Sequence, residues 1–245
     1  METWKERVYA SYADTAPNGH SARASTQRDR RLYLRRYGRF LPRDTAAPVL
    51  DIGCGTGGFL DALRSAGYSC LEGVDLSPGQ VRAAAARGVT GVTQAPALDY
   101  LRIRPDRYAT IAAFSVFEHQ TREELFELLD AIRDSLKPGG CLIGVVPNAK
   151  GLFGAHVRFA DITHEMSFTP MSVSQICAVV GLEAPAFFEH GPIVHGAFSA
   201  IRWTCWQGIR AGLLLARLAE GADWRWPVFT QDLVFVARKP PNLTA

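Results

Sequence analysis

The sequence is short of the residues that mark several protein classes. Its five cysteines, Cys54, Cys70, Cys141, Cys177 and Cys205, form no C-x-x-C pair and no Cys/His ligand spacing, so neither a disulfide framework nor a zinc ribbon is indicated. Four of the five fall in apolar strand or helix patterns, where reduced cysteine packs as a small hydrophobe, and a reducing compartment is expected. No uninterrupted apolar run reaches the ~18–20 residues that span a bilayer. The start, Met1-Glu2-Thr3-Trp4-Lys5-Glu6-Arg7, is polar and lacks the apolar stretch of a secretory leader. A cytoplasmic protein is expected. Net charge is only +3 over 245 residues, too little to imply nucleic acid as a partner. Internal repeats and low-complexity tracts are absent.

What is present is the composition of one sizeable globular domain, 47% hydrophobic and 21% charged. The basic excess gathers near the start, in Arg28, Arg30, Arg31, Arg35, Arg36, Arg39 and Arg43. A solvated helix face is the first reading of that cluster, with an anionic substrate or a membrane surface as the alternative.

The organisation is legible from patterning. Residues 1–46 read as a helical cap with aromatic punctuation at Trp4, Tyr9 and Tyr12 and a break at Pro17-Asn18-Gly19. From Val49 strand and helix signals alternate, the mark of a parallel α/β sheet. Strands are predicted at Val49–Gly53, Cys70–Leu76, Val89–Gln94, Tyr108–Val116, Cys141–Val146, Glu183–Phe188 and Leu233–Lys239. Helices are predicted over Gln80–Arg87, Arg122–Leu136, Ser172–Val180 and Phe198–Leu218, with residues 148–170 as loop. This divides the single domain into a cap (1–46), a ligand-binding core (47–147), an acceptor-binding region and insertion (148–231) and a last strand (232–239).

The densest chemical signal is Val49-Leu50-Asp51-Ile52-Gly53-Cys54-Gly55-Thr56-Gly57-Gly58. It reads as a buried strand, a glycine loop and a helix start, where unpaired N–H groups suit a polar ligand. The glycines also satisfy the dinucleotide pattern G-x-G-x-x-G. Asp51 argues the other way, because an acid would repel a phosphate and suits a cationic or hydroxylated ligand.

These ten residues resemble motif I of the class I S-adenosylmethionine (SAM) methyltransferases. Asp106-Arg107-Tyr108, Val116-Phe117-Glu118-His119 and Leu136-Lys137-Pro138-Gly139-Gly140 are similar to that family's later motifs. The resemblance implies a Rossmann-like α/β fold: a seven-stranded, mostly parallel sheet with an antiparallel last strand, N-terminal helices, and a helical insertion before the last strand. It also implies SAM as donor and S-adenosylhomocysteine as product. Carried over residue by residue, Gly53, Cys54, Gly55 and Gly57 would form the methionine cradle, with Asp51 fixing the loop or the amino group. Asp75 would accept from both ribose hydroxyls, Leu76 would pack on adenine, and a backbone contact near Ala97 would serve the adenine amino group. Phe114, Ser115 and Val116 would line the floor beside the sulfonium.

A narrower likeness lies in Phe159-Ala160-Asp161-Ile162-Thr163-His164-Glu165-Met166-Ser167-Phe168-Thr169-Pro170, which resembles a signature of bacterial methyltransferases of polysaccharide and glycan biosynthesis. It implies an O-methyltransferase acting on a sugar or glycan hydroxyl. His164 is then the candidate general base, oriented by Asp161 or Glu165, with His119 as a second candidate. Loop, turn or cap roles for these residues stay open, as does substrate contact by His190 or His195. No metal is expected, since Asp161, His164 and Glu165 lack a second cluster at ligand spacing. The Phe198–Leu218 helix, with Trp203, Trp206 and three arginines, would cover the cleft, support a homodimer, or lie on a membrane near a lipid-linked glycan. Methylation of a small metabolite on oxygen or nitrogen, a non-catalytic SAM-binding partner subunit and a nicotinamide dehydrogenase are the competing functions.

Overall fold

A computed structural model describes residues 4–10, 26–221, 225 and 227–241; Tyr12 and the Pro17-Asn18-Gly19 break lie outside them. Seven strands, β1 (Val49–Ile52), β2 (Leu71–Asp75), β3 (Val92–Gln94), β4 (Tyr108–Phe114), β5 (Leu136–Pro147), β6 (Ala186–Glu189) and β7 (Asp232–Arg238), form one sheet in the order β3-β2-β1-β4-β5-β7-β6. The pairs from β3 to β5 are parallel. Strand β7 runs antiparallel between β5 and β6. The anticipated fold class is the observed one.

Helices in chain order are α1 (Trp4–Ala10), α2 (Gln27–Tyr37), α3 (Gly58–Ser65), α4 (Pro78–Ala86), α5 (Ala97–Arg102), α6 (Arg122–Ser135), α7 (Gly154–Ala160), α8 (Pro170–Val179) and α9 (Ala197–Ala219). Those between the strands cover both faces of the sheet. Two apolar clusters result. One holds Leu50, Ile111, Leu142 and Phe235 beneath the buried stripe of α6. The other holds Val49, Ala112, Ile143 and Val234 beneath α2 and α3. Strand β1 is buried along its whole length, which is why Val49-Leu50-Asp51-Ile52 reads as a continuous apolar run with one acid rather than an alternation.

Two helices depart from the sequence reading. Segment 148–170, expected as loop, contains α7, whose seven residues lack a side-chain cap and so gave no start signal. Helix α5 opens directly after Pro96, where no helix was predicted. Proline suits a helix start because the first N–H groups there have no intrahelical partner. The Lys137-Pro138-Gly139-Gly140 turn does stop α6, but it lies inside β5, which begins at Leu136 and shifts register against β4. Strands β2 and β4 each end one or two residues short of the expected boundary, so Leu76, Ser115 and Val116 lie in loops beyond them.

Candidate active site

The strand ends converge on one cleft of about 1860 Å³, larger than the ~300–1,000 Å³ of a typical single-ligand pocket. It lies at the carboxyl ends of β1, β2 and β4, as expected for an open α/β sheet. At one end it is lined by Asp51, Gly53, Cys54, Gly55, Asp75, Leu76 and Ala97; Phe114, Ser115 and Val116 form its floor, and Glu118, His119, Asp161 and His164 its other wall. Of the sequence-predicted site residues only Gly57 and the alternative candidates Glu165 and His195 stay outside this cavity.

The glycine loop divides its labour unevenly. Gly55 has φ +53°, and a Cβ there would point into open space with only Gln80 nearby, so this residue leaves room for a ligand. Gly57 also has positive φ, but its added Cβ would come 2.7 Å from Val89 and it does not line the cleft. Gly57 thus serves the turn into α3 and close packing on Val89, a correction to the expectation that all three glycines face the ligand. The backbone of Gly55 is fixed by Asp75, whose carboxylate accepts from Gly55 N (2.8 Å) and Ser77 N (2.8 Å). An ionised carboxylate has lone pairs beyond these two bonds, so the same side chain can hold the loop and still accept hydroxyl donors.

Asp51 is the electrostatic focus of this end. It is buried (2% exposed), and no described residue gives it a hydrogen bond or ion pair. Burial, and secondarily the like charge of Asp75, push its carboxyl well above the ordinary carboxylate range. A buried acid facing a second acid calls for a cationic or donor-rich ligand. The buried Gln80 carbonyl oxygen, also without a partner, adds an acceptor. The cationic sulfonium and the amino and hydroxyl donors of SAM fit this demand; a pyrophosphate does not.

The raised pKa also fixes a sign. The folded state holds the Asp51 proton more tightly than the unfolded chain does, so the stability this group contributes is complete below the ordinary carboxylate range. It is lost as pH rises through the elevated folded value. Asp51→Asn is expected to raise the melting temperature of the ligand-free protein near neutral pH and to flatten its decline with rising pH. The same substitution should shrink the stabilisation given by S-adenosylhomocysteine. Thermal melts across pH, with and without that ligand, check both.

Opposite this cradle, a short helical turn at Phe117–His119 follows β4. The 161–166 loop is pinned to it by Glu165 N and Met166 N, which donate to Glu118 O. Two imidazoles meet here, with ring centroids 4.8 Å apart. Their tautomers follow from hydrogen counting. Thr163 Oγ1 donates its single proton to Asp161 Oδ1 (2.7 Å) and must therefore accept from His119 Nδ1–H (2.7 Å). His164 Nδ1–H donates to the Val157 carbonyl (2.9 Å). Nδ1 of each ring is thus committed as a donor to its anchor.

This corrects the expected pairing. Asp161 orients His119 through Thr163, whereas His164 is held by a backbone carbonyl, and the Glu165 side chain takes no part in orienting either ring. Thr163, 1% exposed, was visible in sequence only as an ordinary loop threonine. Glu118 lies against the histidines. It is buried, Ser115 hydrogen-bonds its carboxyl, and its Oε2 has no partner; burial raises its pKa to about 8. The ligating atoms of Glu118, His119 and His164 all lie within 4.8 Å of one another, a grouping that differs from the Asp161–His164–Glu165 set considered from sequence. Ser115, which leads into the turn, has φ +55°, a costly conformation for a residue with a side chain, and such strain gathers at functional sites.

The insertion supplies a further wall. His190 lines the cleft, bonded to Asp232 (3.2 Å) and to the Tyr37 hydroxyl (3.2 Å). His195 instead bonds Arg28 and the Ile193 carbonyl and does not line the cleft. The basic run of α2 is not simply solvated. Arg35 and Arg36 donate to the Val194 and Gly191 carbonyls, Arg30 pairs with Asp61, and Arg39 lies over the Phe40 and Phe188 rings. Only Arg28 and Arg36 of this run reach the cleft.

A seven-stranded sheet with one antiparallel strand, carrying a paired-acid glycine cradle at its strand ends, defines the class I methyltransferase architecture. Residues 25–186, well over half of the sequence, match the family described as a methyltransferase domain. The chain belongs to that family, and it is an enzyme whose methyl donor is S-adenosylmethionine. Among solved structures it resembles a SAM-dependent methyltransferase from Archaeoglobus fulgidus (TM-score 0.63, 23% identity, 86% of this chain and 94% of that one). It also resembles phosphoethanolamine N-methyltransferase 2 of Haemonchus contortus in complex with phosphomonomethylethanolamine and S-adenosylhomocysteine (0.64, 17%, 99% of this chain but 61% of that one). A third is a SAM-dependent methyltransferase from Mesorhizobium loti (0.57, 18%, 83% and 96%). At these identities the likeness establishes the fold alone. No curated protein sequence matches the chain.

Proposed function

We propose that the enzyme transfers the methyl group of SAM to a hydroxyl of a sugar or glycan acceptor, with a histidine as general base. The observation that carries this reading is the Asp161–Thr163–His119 chain, set beside His164 in the same cleft as the SAM cradle. SAM supplies an electrophilic methyl group on a positively charged sulfur. An alcohol attacks it well only if its proton leaves as the C–O bond forms, whereas a neutral amine already has a free lone pair. Two imidazoles anchored through Nδ1 suit the alcohol, since Nε2 is the nitrogen that would take its proton.

His119 is the better placed base of the two. The Asp161 carboxylate, acting through Thr163, stabilises the imidazolium that forms when His119 takes the proton. His164 lies at the same wall and holds the acceptor hydroxyl. Arg28, Arg36, His190 and Gln231 also line the cleft, a polar surface suited to a hydroxylated and partly anionic acceptor. Positioning supplies much of the rate, since donor and acceptor share one cavity.

One observation favours a second reading of the same wall. The close grouping of Glu118, His119 and His164, with Glu118 Oε2 unpartnered, could hold a divalent cation that lowers the acceptor pKa in place of a base. Exhaustive dialysis against EDTA separates the two. Unchanged turnover keeps the histidine base. Activity lost on dialysis and restored by added Mg²⁺, Mn²⁺ or Zn²⁺ transfers the role to the metal. A small metabolite methylated on nitrogen is the competing acceptor class, and an acceptor panel with methyl-labelled SAM distinguishes it.

A further inference from the structure

Helix α9 is built inside out. Over its 23 residues only Ser199 is buried. The side turned to the protein carries Trp206 and Arg210, both bonded to Glu189, and Arg217, which lies over the Phe229 ring. The outer side follows positions 198, 201, 205, 209, 212, 215 and 216, the three-and-four spacing of one helical face. Those positions are Phe198, Ile201, Cys205, Ile209, Gly212, Leu215 and Ala216. Phe198 is 87% exposed, Ile201 61%, Ile209 45% and Leu215 66%. An apolar stripe running the length of a long helix and turned to solvent signifies a surface that something covers.

Two observations choose the occupant. The first is charge. Helix α9 carries no acidic residue, and of its three arginines Arg202 is exposed while Arg210 and Arg217 turn inward. The segment leading into it is held by the basic helix α2, with Arg28 bonded to His195 and Arg35 to Val194. The apolar stripe thus begins beside a concentration of positive charge, the complement of an anionic lipid surface. The second is area. A helix of this length is about 34 Å long, and a stripe about 10 Å wide covers roughly 340 Å². A single narrow strip is an unusual shape for a protein pair, which buries a broad patch of ~800 Å² of accessible surface per partner, whereas an interfacial helix needs only the strip. No helix among the described residues is long and apolar enough to cross a membrane, so the geometry is that of a helix lying flat.

We propose that the outer face of α9 docks on an anionic bilayer surface, seating Phe198, Ile201, Ile209 and Leu215 in the headgroup–acyl boundary. Because Glu189 and His190, at the base of this insertion, reach α9 and the cleft respectively, docking would place the cleft beside the membrane. The inference does not depend on which acceptor is methylated.

The test is co-sedimentation of the full chain with vesicles of phosphatidylcholine alone or with about one-third phosphatidylglycerol, at about 0.1 M and about 1 M salt. Wild type is expected to pellet with the phosphatidylglycerol vesicles at low salt and to be largely released at high salt. The double substitution Ile201→Glu/Leu215→Glu should cut the pelleted fraction about tenfold while retaining the S-adenosylhomocysteine-induced rise in melting temperature, which shows that the fold survives. Wild type remaining in the supernatant with both vesicle types, or pelleting as well as the double variant, overturns the proposal. So does a wild-type dimer in sedimentation equilibrium that the double variant turns into a monomer, which would give the face to a second copy of the chain.

Discussion

Replacing His119 by alanine is expected to lower methyl transfer by about 10²- to 10⁴-fold while S-adenosylhomocysteine affinity stays within about twofold of wild type. The separation follows from geometry. His119 stands on the turn after β4, and its Nδ1 hydrogen bond leads to Thr163 and through it to Asp161. Thr163→Val keeps the side-chain shape but breaks the link to Asp161, and should give a loss of rate intermediate between wild type and His119→Ala. His164→Ala should act more on acceptor KM than on kcat, because its ring is held by the Val157 carbonyl with no carboxylate behind it. Single-turnover rates with labelled SAM, measured alongside ligand affinity, check all three.

The second large effect concerns the donor. Asp75→Ala is expected to weaken S-adenosylhomocysteine binding by about 10²-fold or more, since hydrogen bonds to a charged acceptor contribute about 1.5–3 kcal/mol each. Two losses combine: the carboxylate that ribose hydroxyls would meet, and the acceptor that fixes Gly55 N and Ser77 N. Asp75→Asn keeps one acceptor oxygen and should lose less. Removing Asp75 also relieves its repulsion of the buried Asp51, so the ligand-free alanine variant should not be less stable in proportion to its lost affinity. Isothermal titration and melting curves on the same preparations separate loss of binding from loss of fold.

The donor half of this enzyme is written locally, which is why it can be read from sequence. Asp51 and the glycines lie within one strand–loop–helix segment, and Asp75 ends the next strand. The acidic character of Asp51 already favours SAM over a dinucleotide, whereas Asp75 would suit the ribose hydroxyls of either. Even there, local sequence gave all three glycines the same role, and only the packing of Val116 against Gly53 and of Val89 against Gly57 separates them from Gly55. The acceptor half is tertiary. The histidine chain joins His119, after β4, to Thr163, 44 residues later, and nothing in either local pattern specifies that contact. The basic run on α2 carried no hint that several of its arginines hold the backbone of residues 191–194, because carbonyl acceptors have no sequence signature. Helix α9 was evident as a helix, but the direction its apolar stripe faces depends on Glu189 capturing Trp206 and Arg210. The short helices α5 and α7 were missed for a different reason: six and seven residues hold too few turns for a periodicity to emerge.

The central claim is that this cleft passes a methyl group from SAM to an oxygen made nucleophilic by its histidine wall. The most direct measurement incubates the enzyme with methyl-labelled SAM and a panel of mono- and oligosaccharides, sugar phosphates and small amines, then identifies the labelled bond. Label appearing as a base-stable ether on a hydroxylated acceptor, and abolished by His119→Ala, is the predicted result. Label confined to amines, or ether formation that survives loss of both His119 and His164, would contradict it.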